Sequence, residues 1–123
     1  MKSLLLDVYE DKVKELDIEP ELSEYYKAIG CDLIDMVDRK IGRKRYTIIC
    51  DDEGLFREDV RISAINNLGG VMLVGNLMFV KTGEEGETLG LEKSDIEYIS
   101  KRIQKMYTTK HPEGYKMLTC CEY

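Results

Sequence analysis

A chain of 123 residues can form one domain with a modest core, and its 43% apolar and 34% charged residues are typical of globular proteins rather than disordered ones. The formal charge of −6 lies entirely in the first half, because residues 1–59 hold 16 Asp and Glu against 10 Lys and Arg, whereas residues 60–123 hold 8 of each. An acidic half disfavours direct binding to nucleic acid or anionic lipid, and no apolar run approaches the roughly 20 residues that span a bilayer, so we expect a cytoplasmic protein.

The first thirty residues predict a strand hairpin followed by a helix. Residues 4–9 and 13–18 are short apolar segments separated by a polar turn. Pro20 suits the first turn of a helix, and apolar side chains then recur at helical spacing from Leu22 to Ile29. Gly30 follows this run and is a typical helix stop.

Residues 31–55 form the most informative stretch, because two apolar strands flank a turn at Gly42 and their charges are sorted by sign. The acidic residues would meet at the open end of the hairpin, and they are Asp32, Asp51, Asp52 and Glu53. The cations crowd the turn beside one aromatic residue, and this basic turn comprises Arg39, Lys40, Arg43, Lys44, Arg45 and Tyr46. At about 3.3 Å per residue, six residues separate the two ends by roughly 20 Å. We therefore predict two candidate contact surfaces for a partner.

The second half predicts further strands and one more helix. Residues 55–70 fit a strand by alternation or a short helix by spacing, and we prefer an extended segment and a turn. Residues 71–80 predict one buried strand, in which Gly75 marks a bulge or a close backbone approach. Ser94 and Glu97 have the spacing of a capping box, and a stripe then follows at Ile96, Ile99, Ile103 and Met106. Residues 114–123 read as a strand or an ordered strap. The expected fold is α+β in a single domain, residues 1–123, with a five- or six-stranded mixed or antiparallel sheet and two helices packed on one face.

Catalytic apparatus is not recognisable in the chain, so we predict that it is not an enzyme. The single histidine, His111, lies in a polar segment where we expect it to face solvent, and no glycine-rich phosphate loop is present. The three acids at the end of the second strand, Asp51, Asp52 and Glu53, could instead hold a divalent ion, with Asp32 as a fourth ligand. Zinc on cysteines is a weaker alternative, for which the candidate ligands are Cys31, Cys50, Cys120 and Cys121.

Four blocks of sequence, residues 31–42, 48–55, 72–77 and 91–98, occur in an order that resembles a family known as domain of unknown function 3846. The resemblance covers roughly residues 2–104 and leaves residues 105–123 as a C-terminal extension. It implies a small protein of phages, plasmids and Firmicutes without an assigned activity.

The combined expectation is a noncatalytic protein-binding accessory protein of phage or mobile-element origin. Its most concrete version is an anti-CRISPR or other anti-defence inhibitor that occupies the surface of a host protein, such as a nucleic-acid-processing enzyme. No cofactor is expected. The alternative is a metal-binding or small-ligand-binding domain. The exposed edges of a small sheet would also allow a homodimer.

Overall fold

A computed structural model describes residues 1–123 as eleven strands and two eight-residue helices. The helices are α1 (Leu22–Ile29) and α2 (Lys93–Ser100). The strands are β1 (Lys2–Asp7), β2 (Lys12–Asp17), β3 (Ile34–Ile41), β4 (Lys44–Asp51), β5 (Ile62–Ile65), β6 (Val71–Val74), β7 (Leu77–Thr82), β8 (Thr88–Leu89), β9 (Ile103–Met106), β10 (Tyr115–Leu118) and β11 (Cys121–Glu122). Neither helix has the length and apolar character that crossing a membrane requires.

The strands form two sheets rather than one. The larger sheet has the order β11-β3-β4-β7-β1-β2, with β8 paired to β7, and all of its pairs are antiparallel. The smaller sheet has the order β6-β5-β10-β9, and its β10–β5 pair is parallel. The α+β class is confirmed, but the predicted number of strands was too low.

The two helices pack against opposite faces of the larger sheet, so the prediction of two helices on one face was wrong. Successive residues of a strand point to opposite faces. Ile49 of β4 packs with α1, whereas its neighbour Ile48 belongs to the cluster that contains α2. Leu4 and Leu5 of β1 divide in the same way. The central strands are apolar at consecutive positions because both of their faces are buried.

The apolar run of residues 71–80 crosses from one sheet to the other. We predicted a single buried strand, but the chain bends at Gly75, whose φ is 78°, and continues as β7 in the larger sheet. The next residue, Asn76, is buried and fixes the bend, since its side chain accepts a hydrogen bond from Val8 N at 2.9 Å and donates one to Ile29 O at 3.2 Å. Gly75 therefore marks a change of sheet and not a bulge within one strand.

The second helix is shorter than its apolar stripe predicted. It begins after Glu92, whose backbone N–H donates to the side chain of Asp95 at 2.9 Å, so the predicted capping pair of Ser94 and Glu97 was displaced by two residues. It ends at Ser100, and the remaining stripe positions belong to β9.

The C-terminal segment lies inside the fold. Strand β10 stands between β5 and β9, and its Tyr115, Met117 and Leu118 belong to the main core. Strand β11 pairs with the end of β3, where Cys121 lies opposite Ile41. The predicted strand in this segment is confirmed, and the segment completes both sheets.

Candidate functional site

The open end of the β3–β4 hairpin borders a cleft with a volume of about 780 Å³. Asp52 N donates to Leu33 O at 3.0 Å, which extends the hairpin pairing by one step beyond β3 and β4. Asp32 and Glu53 line this cleft beside Tyr26 of α1. The structure thus brings the predicted acidic residues to one end of the hairpin, as the strand pairing required.

One of these acids, Asp51, is buried and is hydrogen-bonded to residues that line the cleft. Arg57 Nε donates to Asp51 Oδ2 at 2.6 Å, and Glu53 N donates to Asp51 Oδ1 at 2.9 Å. Arg57 Nη2 also donates to the carbonyl of Gly30 at 2.7 Å, at the end of α1. The hydrogen bond that Arg57 donates to Asp51 raises the pKa of Arg57, whose positive charge is therefore paired within the protein. Asp51 lies below the surface, and the exposed carboxylates are Asp32, Asp52 and Glu53.

Exposed apolar side chains stand among these carboxylates, and the sequence analysis missed them. A single 3₁₀ turn, Gly54–Phe56, follows directly after Glu53. Leu55 is 70% exposed and Phe56 is 84% exposed, and Leu33 across the hairpin is half exposed. The available signal was an apolar pair placed immediately after an acidic turn, outside any periodic pattern that could bury it. We call Asp32, Leu33, Asp52, Glu53, Leu55 and Phe56 the acidic–apolar surface.

The basic turn is organised differently from the prediction, because Tyr46 is buried. Its hydroxyl donates to Asp95 Oδ1 at 2.8 Å, and burial is the main reason that its pKa is raised. Lys81 Nζ lies 2.7 Å from Asp95 Oδ2. Burial alone would raise the pKa of Asp95, but the hydrogen bonds from Lys81, from the Glu92 backbone and from Tyr46 hold it below its ordinary value. Tyr46 is thus part of an internal link between β4 and α2 and is not presented to a partner.

The tip of the β3–β4 hairpin docks onto α2. Gly42, whose φ is 61°, occupies the first position of a two-residue turn. Arg43 N donates to Tyr98 Oη at 2.8 Å, and the guanidinium of Arg102 lies 3.7 Å from the centre of the Tyr98 ring. Lys44 Nζ lies 4.8 Å from the same ring centre. A Cβ at position 42 would clash with this arrangement, so glycine is required here.

The remaining cations of the basic turn point in different directions. Arg45 pairs with Asp38 at 3.6 Å, and the guanidinium of Arg39 lies 4.7 Å from the ring centre of Tyr123. Lys40 and Arg43 form no ion pair. The cations therefore do not form one continuous surface, because neighbouring strand positions alternate between the two faces of the sheet.

The cysteines do not converge. Cys50 lies opposite Asp35 and Cys121 lies opposite Ile41, at the two ends of β3. Burial raises the pKa of Cys50 to about 12 and that of Cys121 to about 11, and it also raises the pKa of Cys31. These three thiols are therefore protonated at neutral pH and are poor nucleophiles. No group of three His, Cys, Asp or Glu side chains is arranged to hold a metal ion.

His111 is buried, contrary to the prediction that it faces solvent. Its Nε2 lies 3.2 Å from Asp59 Oδ1, and its ring stands edge-on to Tyr115 with 5.5 Å between the ring centres. Asp59 also accepts a hydrogen bond from Arg61 Nε at 2.7 Å, and this bond lowers the pKa of Asp59. The cluster joins the segment before β5 to the segment before β10.

Comparison with protein families gives a match that covers most of the chain. A family model described as "Domain of unknown function (DUF3846)" matches residues 1–107. The chain belongs to this family. The DUF3846 match contains the whole acidic–apolar surface, both helices and strands β1 to β9, so the resemblance noted in the sequence is confirmed. Strands β10 and β11 lie outside the DUF3846 match. Searches of curated proteins and of solved structures give no match.

Proposed function

We propose that this protein is a noncatalytic protein-binding domain and that the acidic–apolar surface is its main contact with a partner. The observation that carries the proposal is the exposure of Leu55 and Phe56 among three exposed carboxylates. Adjacent exposed apolar side chains with a polar rim are typical of protein interaction sites. The ion pair between Arg57 and the buried carboxylate of Asp51 supports the turn that carries these side chains, so the surface is preorganised.

The charge of the surface indicates the chemistry of the partner. Asp32, Asp52 and Glu53 would face cations, and the acidic first half of the chain would steer a basic protein surface towards them. Enzymes that bind nucleic acids carry basic surfaces of this kind, which contact the phosphates. The phage and mobile-element setting suggested by the family resemblance makes an inhibitor of host defence, such as an anti-CRISPR protein, the first version to test.

The experiment measures binding of the immobilised full-length protein to a panel of purified host nuclease complexes, with and without their nucleic acid. The proposal predicts a stoichiometric complex with at least one of them that added nucleic acid weakens. Phe56→Ala should raise the Kd at least tenfold, since truncating an interface anchor costs more than about 1.4 kcal/mol. Leu22→Ala, at another exposed apolar position, is the matched control and should have no effect.

A charge-reversal pair tests the carboxylates separately. Asp52→Lys with Glu53→Lys should slow association and weaken its dependence on salt, because long-range attraction is replaced by repulsion. Glu84→Lys with Glu85→Lys makes the same change of charge in the exposed loop between β7 and β8 and should leave association much closer to that of the parent protein. If the two pairs behave alike, or if no complex of the panel binds, the proposal is wrong.

A further inference from the structure

Strand β6 is a short outer strand that lacks charged side chains, and its pairing with β5 shifts register twice. It pairs with β5 on one side only, and its residues form no hydrogen bond with a side chain or a loop. Its sequence, Val-Met-Leu-Val, contains no charge and no proline. The other strands of four or more residues with an open side carry charged side chains: β2 has two lysines and two acids, and β9 has one lysine. Strand β3, which β11 covers only at Lys40 and Ile41, has two aspartates, an arginine and a lysine. Charges at an outer strand discourage strand addition, and β6 lacks them.

A groove lies between β6 and the turn that follows β4. It is lined by Val71–Val74 on one side and by Asp52, Gly54 and Leu55 on the other, with a volume of about 300 Å³. Gly54 brings the two walls together, since a Cβ at that position would lie 3.1 Å from Cγ2 of Val74. Val71 is 56% exposed at the far end, where the groove opens to solvent. The groove thus combines an apolar floor with an unpaired strand.

We propose that β6 receives an extended segment of the partner protein as an additional strand, and that this segment alternates apolar residues with Lys or Arg. This inference rests on the proposed function and specifies how the partner is held. Backbone hydrogen bonds to β6 would supply affinity, and the apolar side chains would lie against Leu55 and Val71.

Charge complementarity is the reason that we expect the partner's added strand to be basic. Asp52 lines the groove, Glu53 is adjacent, and both are exposed. The cation that follows them in sequence, Arg57, is already bonded to Asp51 and to the Gly30 carbonyl. A second copy of this chain fits the groove poorly, because pairing β6 with β6 would bring two identical acidic rims together.

The test uses the full-length ¹⁵N-labelled protein and a capped hexapeptide of alternating lysine and valine. The expected result is a shift of the Val71–Val74 amide signals together with slower hydrogen exchange in that strand. Two matched peptides are controls: one with glutamate in place of lysine, and one with N-methyl groups on alternate backbone amides. Each should bind at least tenfold more weakly, since the first loses charge complementarity and the second loses strand hydrogen bonds.

Val71→Lys places a protective charge on the strand at an exposed position, and it should weaken peptide binding at least tenfold. Leu89→Lys, at an exposed position of β8, is the matched control and should bind like the parent. The ¹⁵N spectrum of each variant verifies that it is folded. Equal binding of the N-methylated peptide, shifts confined to β2, β3 or β9, or self-association of the parent through β6 would each overturn the proposal.

The same variants separate this inference from the proposed function. If a partner binds with the predicted dependence on Phe56 and Val71→Lys leaves its affinity unchanged, strand addition is wrong and the proposed function stands. If the basic peptide binds β6 while no nuclease complex binds at all, the proposed function is wrong and the strand property of β6 stands.

Discussion

Replacing Leu118 by alanine tests whether the segment beyond the family match is part of the core. Leu118 is completely buried and lies opposite Ile103 of β9 and Ala64 of β5. Replacing a buried leucine by alanine costs about 2–5 kcal/mol through lost transfer free energy and the cavity left behind. For a domain of this size, with about 4 °C per kcal/mol, the melting temperature should fall by roughly 8–20 °C.

The matched control is Leu68→Ala, the same change at a side chain that is 96% exposed. It should alter the free energy of unfolding by less than about 0.5 kcal/mol. Urea unfolding followed by circular dichroism measures both values, and an unchanged m-value verifies that they are comparable. If Leu118→Ala costs less than about 1 kcal/mol, β10 is not held between β5 and β9 and the described sheet is incorrect.

Three further predictions follow from contacts around the larger sheet. Asp95→Asn should destabilise by about 1–3 kcal/mol at pH 7, because its three hydrogen-bonded partners, Tyr46, Lys81 and the Glu92 backbone, lose a charged acceptor. The folded-state pKa of Asp95 is lowered, so the stability that its charge contributes is present above the unfolded-state pKa of about 3.9 and is lost as pH falls through the folded-state pKa. Urea unfolding should therefore show the stability difference between Asp95→Asn and the parent protein shrinking below about pH 4. Gly42→Ala should lower the melting temperature more than Gly86→Ala. Both glycines have positive φ, but only a Cβ at position 42 would clash with Tyr98. Equal shifts in melting temperature would contradict the docking of the hairpin turn onto α2. Cys50 should resist iodoacetamide at pH 8 until the protein is unfolded, and mass spectrometry showing rapid native labelling would contradict its burial and its raised pKa.

The sequence predicted the elements that are defined by local signals. Helix α1 ends at Gly30, where the φ of 80° requires a residue that tolerates the left-handed region. The β3–β4 hairpin turns at Gly42 for the same local reason. In both places the deciding residue lies within a few positions of the structure it determines.

The sequence failed where distant pairing decides the outcome. Ile103 and Met106 continue the apolar spacing of α2, but β10 recruits them into a strand. The apolar run of residues 71–80 gives no sign of which sheet each half joins, although its glycine marks the place of the change.

The candidate site was predicted only in part, because some of its contacts come from segments that are distant in sequence or lack a periodic pattern. Strand pairing alone placed Asp32 and Asp52 at one end of the hairpin. The burial of Asp51 depends on Arg57, which approaches from a segment with no periodic pattern. Tyr46 could have been placed correctly, because it alternates with exposed Arg45 and therefore points to the opposite face, towards α2.

The position of β10 also sets an order of events during synthesis. Strand β5 leaves the ribosome about fifty residues before its parallel neighbour, and β9 emerges in between without a partner. The smaller sheet cannot close until residues 115–118 have been made, and long-range parallel pairing of this kind is slow. A nascent chain paused after β9 would display the open sides of β5 and β9 together with that of β6. Such a pause is therefore the moment when a chaperone would have most to recognise on this protein.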